Sequence, residues 1–340
     1  MAAQSKYGAI HVFVGLVLAG LTLEVSPSTG LAQQDGELLV LESKVPLGAV
    51  NGRIDHLGFD AWRKQVFIAE LDNNTVGVVD LGSARLLHRI SGLSAPQGVD
   101  YVPSVDMLFV ANGGDGTIRV FKGGDFTPTG LQSLDSDADN VRVDPKTAYV
   151  YVGFGAGALA VIDPATRMKI KDIALPAHPE SFQINRTTRQ IFVNLPNAGS
   201  IVVLGKMGDV PQATWSTAND QGNFAMALDE ENQRVLVVFR NPPKVSARDI
   251  RTGAVVAEHD TCGDVDDVFL DTKRRRVYVT CGDGFIDVLN ASADYARLDR
   301  IVTRRGARTS LFLTSLDRLA VAARANGSEP AELWIYRATP

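Results

Sequence analysis

One phrase recurs along this 340-residue chain every forty-odd residues, and that period restricts the fold more than any other feature. It reads HLGFDAWRKQVFIAE (56–70), QGVDYVPSVDMLFVAN (97–112), NVRVDPKTAYVYVG (140–153) and SFQINRTTRQIFVN (181–194). It continues as AMALDEENQRVLVVF (225–239), DVFLDTKRRRVYVTC (267–281) and SLFLTSLDRLAVAA (310–323). One position in it, held by Asp60, Asp144, Asn185, Asp229, Asp271 and Thr314, steps by 84 residues (two repeats), 41, 44, 42 and 43. Each copy is an alternating apolar run, a polar turn, and a second run rich in Val, Ile, Phe and Tyr. Alternation with a period of two marks half-buried strands. A pair of short strands cannot bury its apolar faces alone, so such copies stack on their neighbours as an array of small sheets.

The first repeat shows how each unit goes on. IDHLGFD gives strand A, KQVFIAE strand B, NTVGVVDL strand C and ARLLHRI strand D, with Asn73-Asn74 and Gly82-Ser83 at the turns. These are turn residues that tolerate the required backbone angles. GALAVIDPATRMKIKDIAL (157–175) and GFIDVLNASADYARLDRI (284–301) repeat the C–D half. Four short strands per unit at this spacing describe the blade of a β-propeller. Nothing between the strands has helical periodicity or length, which excludes a TIM barrel.

The count is seven, and the two ends of the chain explain closure. The last repeat has strands A and B and then AELWIYRA (331–338) as strand C, with no strand D after it. ELLVLESKVPL (37–47) precedes the first strand A and resembles no A, B or C phrase. Set beside the last strand C, it completes the seventh blade and removes an exposed sheet edge. The sequence therefore predicts an all-β, seven-bladed β-propeller closed by its N-terminal strand.

Residues 1–32 read as a secretory signal: Lys6, an apolar stretch from Ala9 to Leu23, and a small-residue exit at Gly30-Leu31-Ala32. The stretch is short for a membrane span, which needs about 20 residues; a retained N-terminal anchor is the alternative. Residues 33–340 are then the propeller, periplasmic or secreted, with no later span. The net charge of −5 gives no footprint for nucleic acid. The run Lys273 to Arg276 sits at a strand turn, where charges are ordinarily just solvated. The two cysteines, Cys262 and Cys281, precede strand A and end strand B of one repeat, so antiparallel pairing brings them together. In an oxidising compartment a disulfide is expected. A metal pair lacks the further Cys or His that a tetrahedral site needs.

Tyr278-Val279-Thr280 with Cys281 resembles the tetrapeptide that names the YVTN repeat. The wider set of Arg53-Ile54-Asp55-His56-Leu57, Ser94 to Val99, Val110 to Gly116, Asp137 to Arg142, His178 to Phe182 and Cys262 to Asp267 resembles the periplasmic, YncE-like seven-bladed propellers of that family. The resemblance covers essentially all of the mature chain and implies fold and export more than activity. It points to relatives that bind DNA or surface components, and to more distant lyases, lactonases and oxidases. The acidic charge and the lack of an aromatic-plus-basic groove phrase depart from a DNA-binding role.

In such a ring the A strands line the channel and the D–A loops converge on one mouth. Loops on a rigid scaffold often carry function. Five residues before the repeat's reference position stand Asp55, Asp139, Glu180, Phe224, Asp266 and Thr309. Four before it stand His56, Asn140, Ser181, Ala225, Asp267 and Ser310, and slightly further out Arg53, Asp137, His178, Asn223, Asp264 and Arg308. Gln97 belongs to the second loop. Carboxylates crowded at one mouth repel, and at least one pKa should rise. A bound cation, compensation by Arg53, Arg142 and Arg308, or hydration would relieve this. His56, His178, Asp55, Glu180 and Asp266 form a candidate divalent-metal set, and carboxylates with backbone carbonyls could take calcium. Asp at a strand entry can equally serve only to cap its loop.

The candidate ligand-binding residues are thus Arg53, Asp55, His56, Gln97, Asp139, Asn140, His178, Glu180, Asn223, Asp266, Asp267 and Arg308. The glycines of Gly153-Phe154-Gly155-Ala156-Gly157 join two strands and start no helix, so they are no phosphate loop. The expectation is a monomeric binding or scaffold protein for a small molecule, a peptide or a cell-envelope component. The alternative is a metal-assisted lyase or hydrolase using His56 or His178 at the same mouth.

Overall fold

Seven four-stranded antiparallel sheets follow one another around a ring, each in the order A-B-C-D. The computed structural model describes residues 8–9, 37–208, 210–217 and 220–340; the leader expected at 1–32 falls outside these but for Gly8 and Ala9. Blade 1 has its four strands at Leu57–Asp60, Gln65–Glu70, Thr75–Asp80 and Arg85–Ile90. The last blade joins both ends of the chain: Leu39–Pro46 pairs antiparallel with Glu332–Ala338, from Leu39 against Ala338 to Pro46 against Glu332. The ring closes as the sequence requires. Among the described residues no helix is long and apolar enough to cross a membrane.

The core lies between neighbouring sheets. Phe67, Val76 and Val78 of blade 1 pack against Val99, Tyr101 and Leu108 of blade 2. Strands B and C are covered on both faces, and Val66, Phe67, Ile68 and Ala69 are all wholly buried. Strand D has neighbours on fewer sides, and there Leu87, Leu131 and Val256 are more than half exposed. This layering explains why strand B reads as a continuous apolar run while strand D alternates. Strands A come close enough that side chains would obstruct: a Cβ on Gly98 would stand 2.1 Å from the Asp139 carbonyl oxygen of blade 3.

The recurring reference residue sits at the A–B turn, at the opposite end of strand A from the D–A loop. Asp60, Asp144, Asn185, Asp229 and Asp271 are all buried. Each accepts backbone N–H groups of its own turn, as Asn185 Oδ1 does from Thr187 and Thr188 at 2.9 and 2.7 Å. Arginines then tie the turns together, within blades and between them. Arg275 donates to Asp229 at 3.1 Å, Arg274 bridges Asp271 and Asp317 at 3.0 Å, and Arg189 pairs with Asp144. In blade 2 the position is Val102, and Asp106 at the end of that turn takes Arg63 of blade 1 instead, at 2.8 Å. The repeat's most regular acid is therefore a turn cap.

Candidate ligand-binding site at the channel mouth

At the D–A end three of the A strands begin with a kink. Strand A of blade 5 (Gln221–Asp229) shifts register between Asn223 and Ala225, and that of blade 6 (Val265–Asp271) between Val265 and Asp267. Blade 2 shifts between Pro96 and Val99. A residue at such a bulge leaves the ladder and can turn its side chain elsewhere. Here Phe224, Asp266 and Gln97 turn into the mouth, joined by Asp55, Asp139 and Glu180 from the same register position. Two residues earlier the loop often needs a left-handed backbone: Asp137, Gly222 and Asp264 have φ of 42°, 68° and 55°. Asp tolerates that region better than most side chains, so part of the acid recurrence there is conformational.

The result is a cavity of about 440 Å³ with mostly polar walls. It gathers Arg53, Asp55, His56, Gln97, Asp139, His178, Glu180, Asp266 and Arg308, as the register predicts. Three expected residues are not on its wall. Asn223 is buried between blades, donating to Asn194 Oδ1 at 3.3 Å and to the Ser200 carbonyl at 3.0 Å. Asn140 is also buried, and its backbone pairs with Gly153. Asp267 faces the channel below, where its carboxylate accepts from Ser310 N at 2.8 Å. Each lies out of phase with the mouth-facing position, although His56, at the same register as Asn140 and Asp267, still reaches the wall. Arg142 also departs from expectation: it faces the channel, beside Asp100.

Arg240 takes the compensating place proposed for Arg142. It sits 3.5 Å from the centre of the Phe224 ring and donates to Asp266 at 2.5 Å. Its register position at the end of strand B holds Leu71, Gly113, Gly155, Pro196, Gly282 and Arg324 in the other repeats. Arg308 meets Asp266 and Asp264, both at 2.8 Å, and Arg53 meets Asp55 at 3.1 Å. Asp137 lines the wall too and accepts from Gln97 at 3.0 Å.

The electrostatics are those of crowded, partly desolvated carboxylates. Burial pushes Asp55 up to about 7 and Asp266 upward, with neighbouring acids adding to the rise for Asp55. Burial, with Asp139 nearby, likewise pushes Glu180 up to about 7. The histidines respond oppositely. Burial disfavours a charged His56, but flanking Asp267 and Asp55, at 3.6 and 3.8 Å, outweigh it and lift the imidazole to about 10. His178 is raised to about 9 by Asp139. Its Nδ1 lies 2.6 Å from the Gly155 carbonyl, which can only accept, so that nitrogen carries a proton.

The candidate metal set does not close around a point. Among the described residues no three His, Cys, Asp or Glu side chains stand close enough together to hold a metal ion. Beside the mouth, Cys262 and Cys281 form a disulfide, with Cα atoms 5.8 Å apart.

No family model matches this chain, and no curated protein is similar to it in sequence. Solved structures are similar in shape. A chain of Kuenenia stuttgartiensis hydrazine synthase superposes with a TM-score of 0.72 at 14% identity, covering 81% of this chain and 94% of its own. A chain from the mitotic checkpoint complex superposes with a TM-score of 0.74 at 12% identity, covering 96% of this chain and 100% of its own. At such identities the likeness is one of fold, the seven-bladed propeller, which carries many unrelated functions.

Proposed function

We propose that this chain is an exported binding protein of the YncE-like, YVTN kind, and that the D–A mouth is where it takes a small polar ligand. One observation carries this reading: equivalent positions of six blades open their side chains into a single polar cavity, while Asn140 and Asn223, out of phase beside them, are buried. Bulges at the strand entries re-aim three of those side chains, which turn capping alone would not require. Pockets of a few hundred Å³ lined by convergent polar groups suit small ligands. The rigid ring holds the mouth open without a ligand, so little ordering cost would oppose binding.

A thermal-shift screen of the purified protein against small polar ligands tests this, with Arg308→Gln and Asp266→Asn as paired mouth variants. Ligands that stabilise the parent and not the variants support it; stabilisation of all three proteins alike overturns it. Export is checked by cell fractionation and N-terminal sequencing, with a mature terminus near Gln33 expected. The alternative, a metal-assisted lyase or hydrolase at this mouth, predicts that stoichiometric metal survives purification.

A further inference from the structure

The channel beneath the mouth is a second cavity, of about 720 Å³, walled by the A strands of all seven blades. His56 lines both cavities and stands between them. Towards the other face the channel reaches the A–B turns, where Arg186, Glu231, Thr272 and Thr314 are exposed. Its wall is divided. At one register of strand A, blades 2, 3 and 4 carry Asp100, Arg142 and Gln183, whereas blades 5, 6, 7 and 1 carry Ala227, Phe269, Leu311 and Gly58. Phe59, Leu228 and Leu270, one residue on, extend the apolar side, and with Phe269 and Leu311 they are only partly buried. Large apolar side chains left uncovered inside a cavity suit an apolar ligand body.

The polar side has one group left unanswered. Gln183 donates to the Met226 carbonyl at 2.9 Å, and Asp100 accepts from the Tyr101 N–H at 2.9 Å. Arg142 donates only to the carbonyl of its neighbour Val141, at 2.8 Å, and makes no ion pair among the described residues, with Asp100 or any other acid. Its guanidinium carbon lies 5.9 Å from the centre of the Phe182 ring, at the outer limit of a cation–π contact. Most of its N–H donors therefore have no protein acceptor. We propose that the channel is a second binding site, for a medium-chain aliphatic monocarboxylate whose chain lies along the Phe59, Phe269 and Leu311 side and whose head group Arg142 takes. A carboxylate matches the guanidinium fork with two parallel bonds. An ammonium would meet the charge of Arg142 itself, and an alcohol would leave that charge unanswered. One negative charge fits better than two, because Asp100 stands beside Arg142 and repels an anion when ionised. Burial lifts Asp100 to about 6, with Arg142 pulling the other way. The other charged groups of the channel lie at its ends, His56 with Asp267 at the neck and Arg186, Glu230 and Glu231 at the turns. The site is independent of the mouth, whose walls are mostly polar.

Calorimetric titration of the purified protein at pH 8 with octanoate, octylamine and 1-octanol compares three head groups on one chain. Octanoate should bind saturably and most tightly of the three, weakened roughly tenfold or more in Arg142→Gln. From butanoate through hexanoate to octanoate the affinity should rise by up to about fourfold per methylene, as the chain covers the apolar side. Thermal melts establish that Arg142→Gln is folded. Arg142→Lys, which keeps the charge and loses the fork, should fall between it and the parent. Should the variants not fold, the head-group comparison on the parent decides. Octanol or octylamine binding as tightly as octanoate, octanoate binding unchanged in Arg142→Gln, or no saturable binding of octanoate overturns the inference, and each leaves the reading of the mouth as it was.

Discussion

Asp229 and Glu180 are acids of neighbouring repeats, one at each end of the channel, and their surroundings are opposite. Asp229 is wholly buried and accepts from the Asn232 backbone at 3.1 Å, the Tyr295 hydroxyl at 2.9 Å and Arg275 at 3.1 Å. Glu180 lines the mouth cavity, and its carboxylate accepts no hydrogen bond among the described residues. The turn end thus treats its carboxylates as fixed parts of the frame, each answered by its own turn and in several blades by an arginine. The mouth leaves part of its acceptor capacity open. Two ends built from one repeat, five residues apart on each strand, have diverged because the turn geometry is common to the blades while the loop side chains are not. That contrast separates acids that hold the fold from acids available to a ligand.

The severest way to break this comparison is to remove what holds both ends in place. Deleting residues 37–47 strips strand D from the last blade and bares the edge of Glu332–Ala338. The expected outcome is loss of cooperative unfolding and poor solubility, read by calorimetry and light scattering. A truncated protein that melts like the parent would show that the ring is not closed by this strand.

Asp229→Ala should cost about 3–5 kcal/mol, because it leaves the buried Tyr295 hydroxyl without its acceptor and removes the wholly buried carboxylate that Arg275 pairs with. Chemical denaturation measures this directly, and a loss below about 1 kcal/mol would mean the turn acids are ordinary surface caps. Reducing the Cys262–Cys281 bond, or replacing both cysteines with Ser, should cost about 2–4 kcal/mol. A thiol assay under denaturing conditions should find none free in the purified protein.

The smallest effect has the opposite sign. Glu180 titrates near 7 in the folded protein and lower when unfolded, so ionising it opposes folding. Its cost is absent at low pH and grows as pH rises from about 4 through 7. Glu180→Gln should therefore match the parent near pH 4 and be more stable by about 1 kcal/mol above pH 7. A melt series across pH, with and without calcium, zinc and chelator, reads it. A destabilised variant at every pH would put Glu180 with the turn caps. His56 works the other way: raised to about 10, it contributes stability that is complete below about 6.5 and is lost as pH climbs through 10.

The sequence by itself determined the ring. A period of forty-odd residues, period-two alternation and turn residues at fixed offsets are local properties, and seven copies leave one way to bury their faces. It also determined which loop register reaches the mouth, since that position is set by counting along each strand. What it could not determine was which side chains on that register meet. Asp267 and Asn223 lie one residue to either side of the mouth position, and only the bulges in strand A decide which residue of each loop turns inward. Arg240 reaches the mouth from the far end of strand B, a contact between segments that no spacing in the chain encodes. Whether the carboxylates gather round a metal or spread along a cavity wall depends on ångström-scale separations across seven blades. Those are fixed by the packing of whole sheets, and tertiary structure alone sets them.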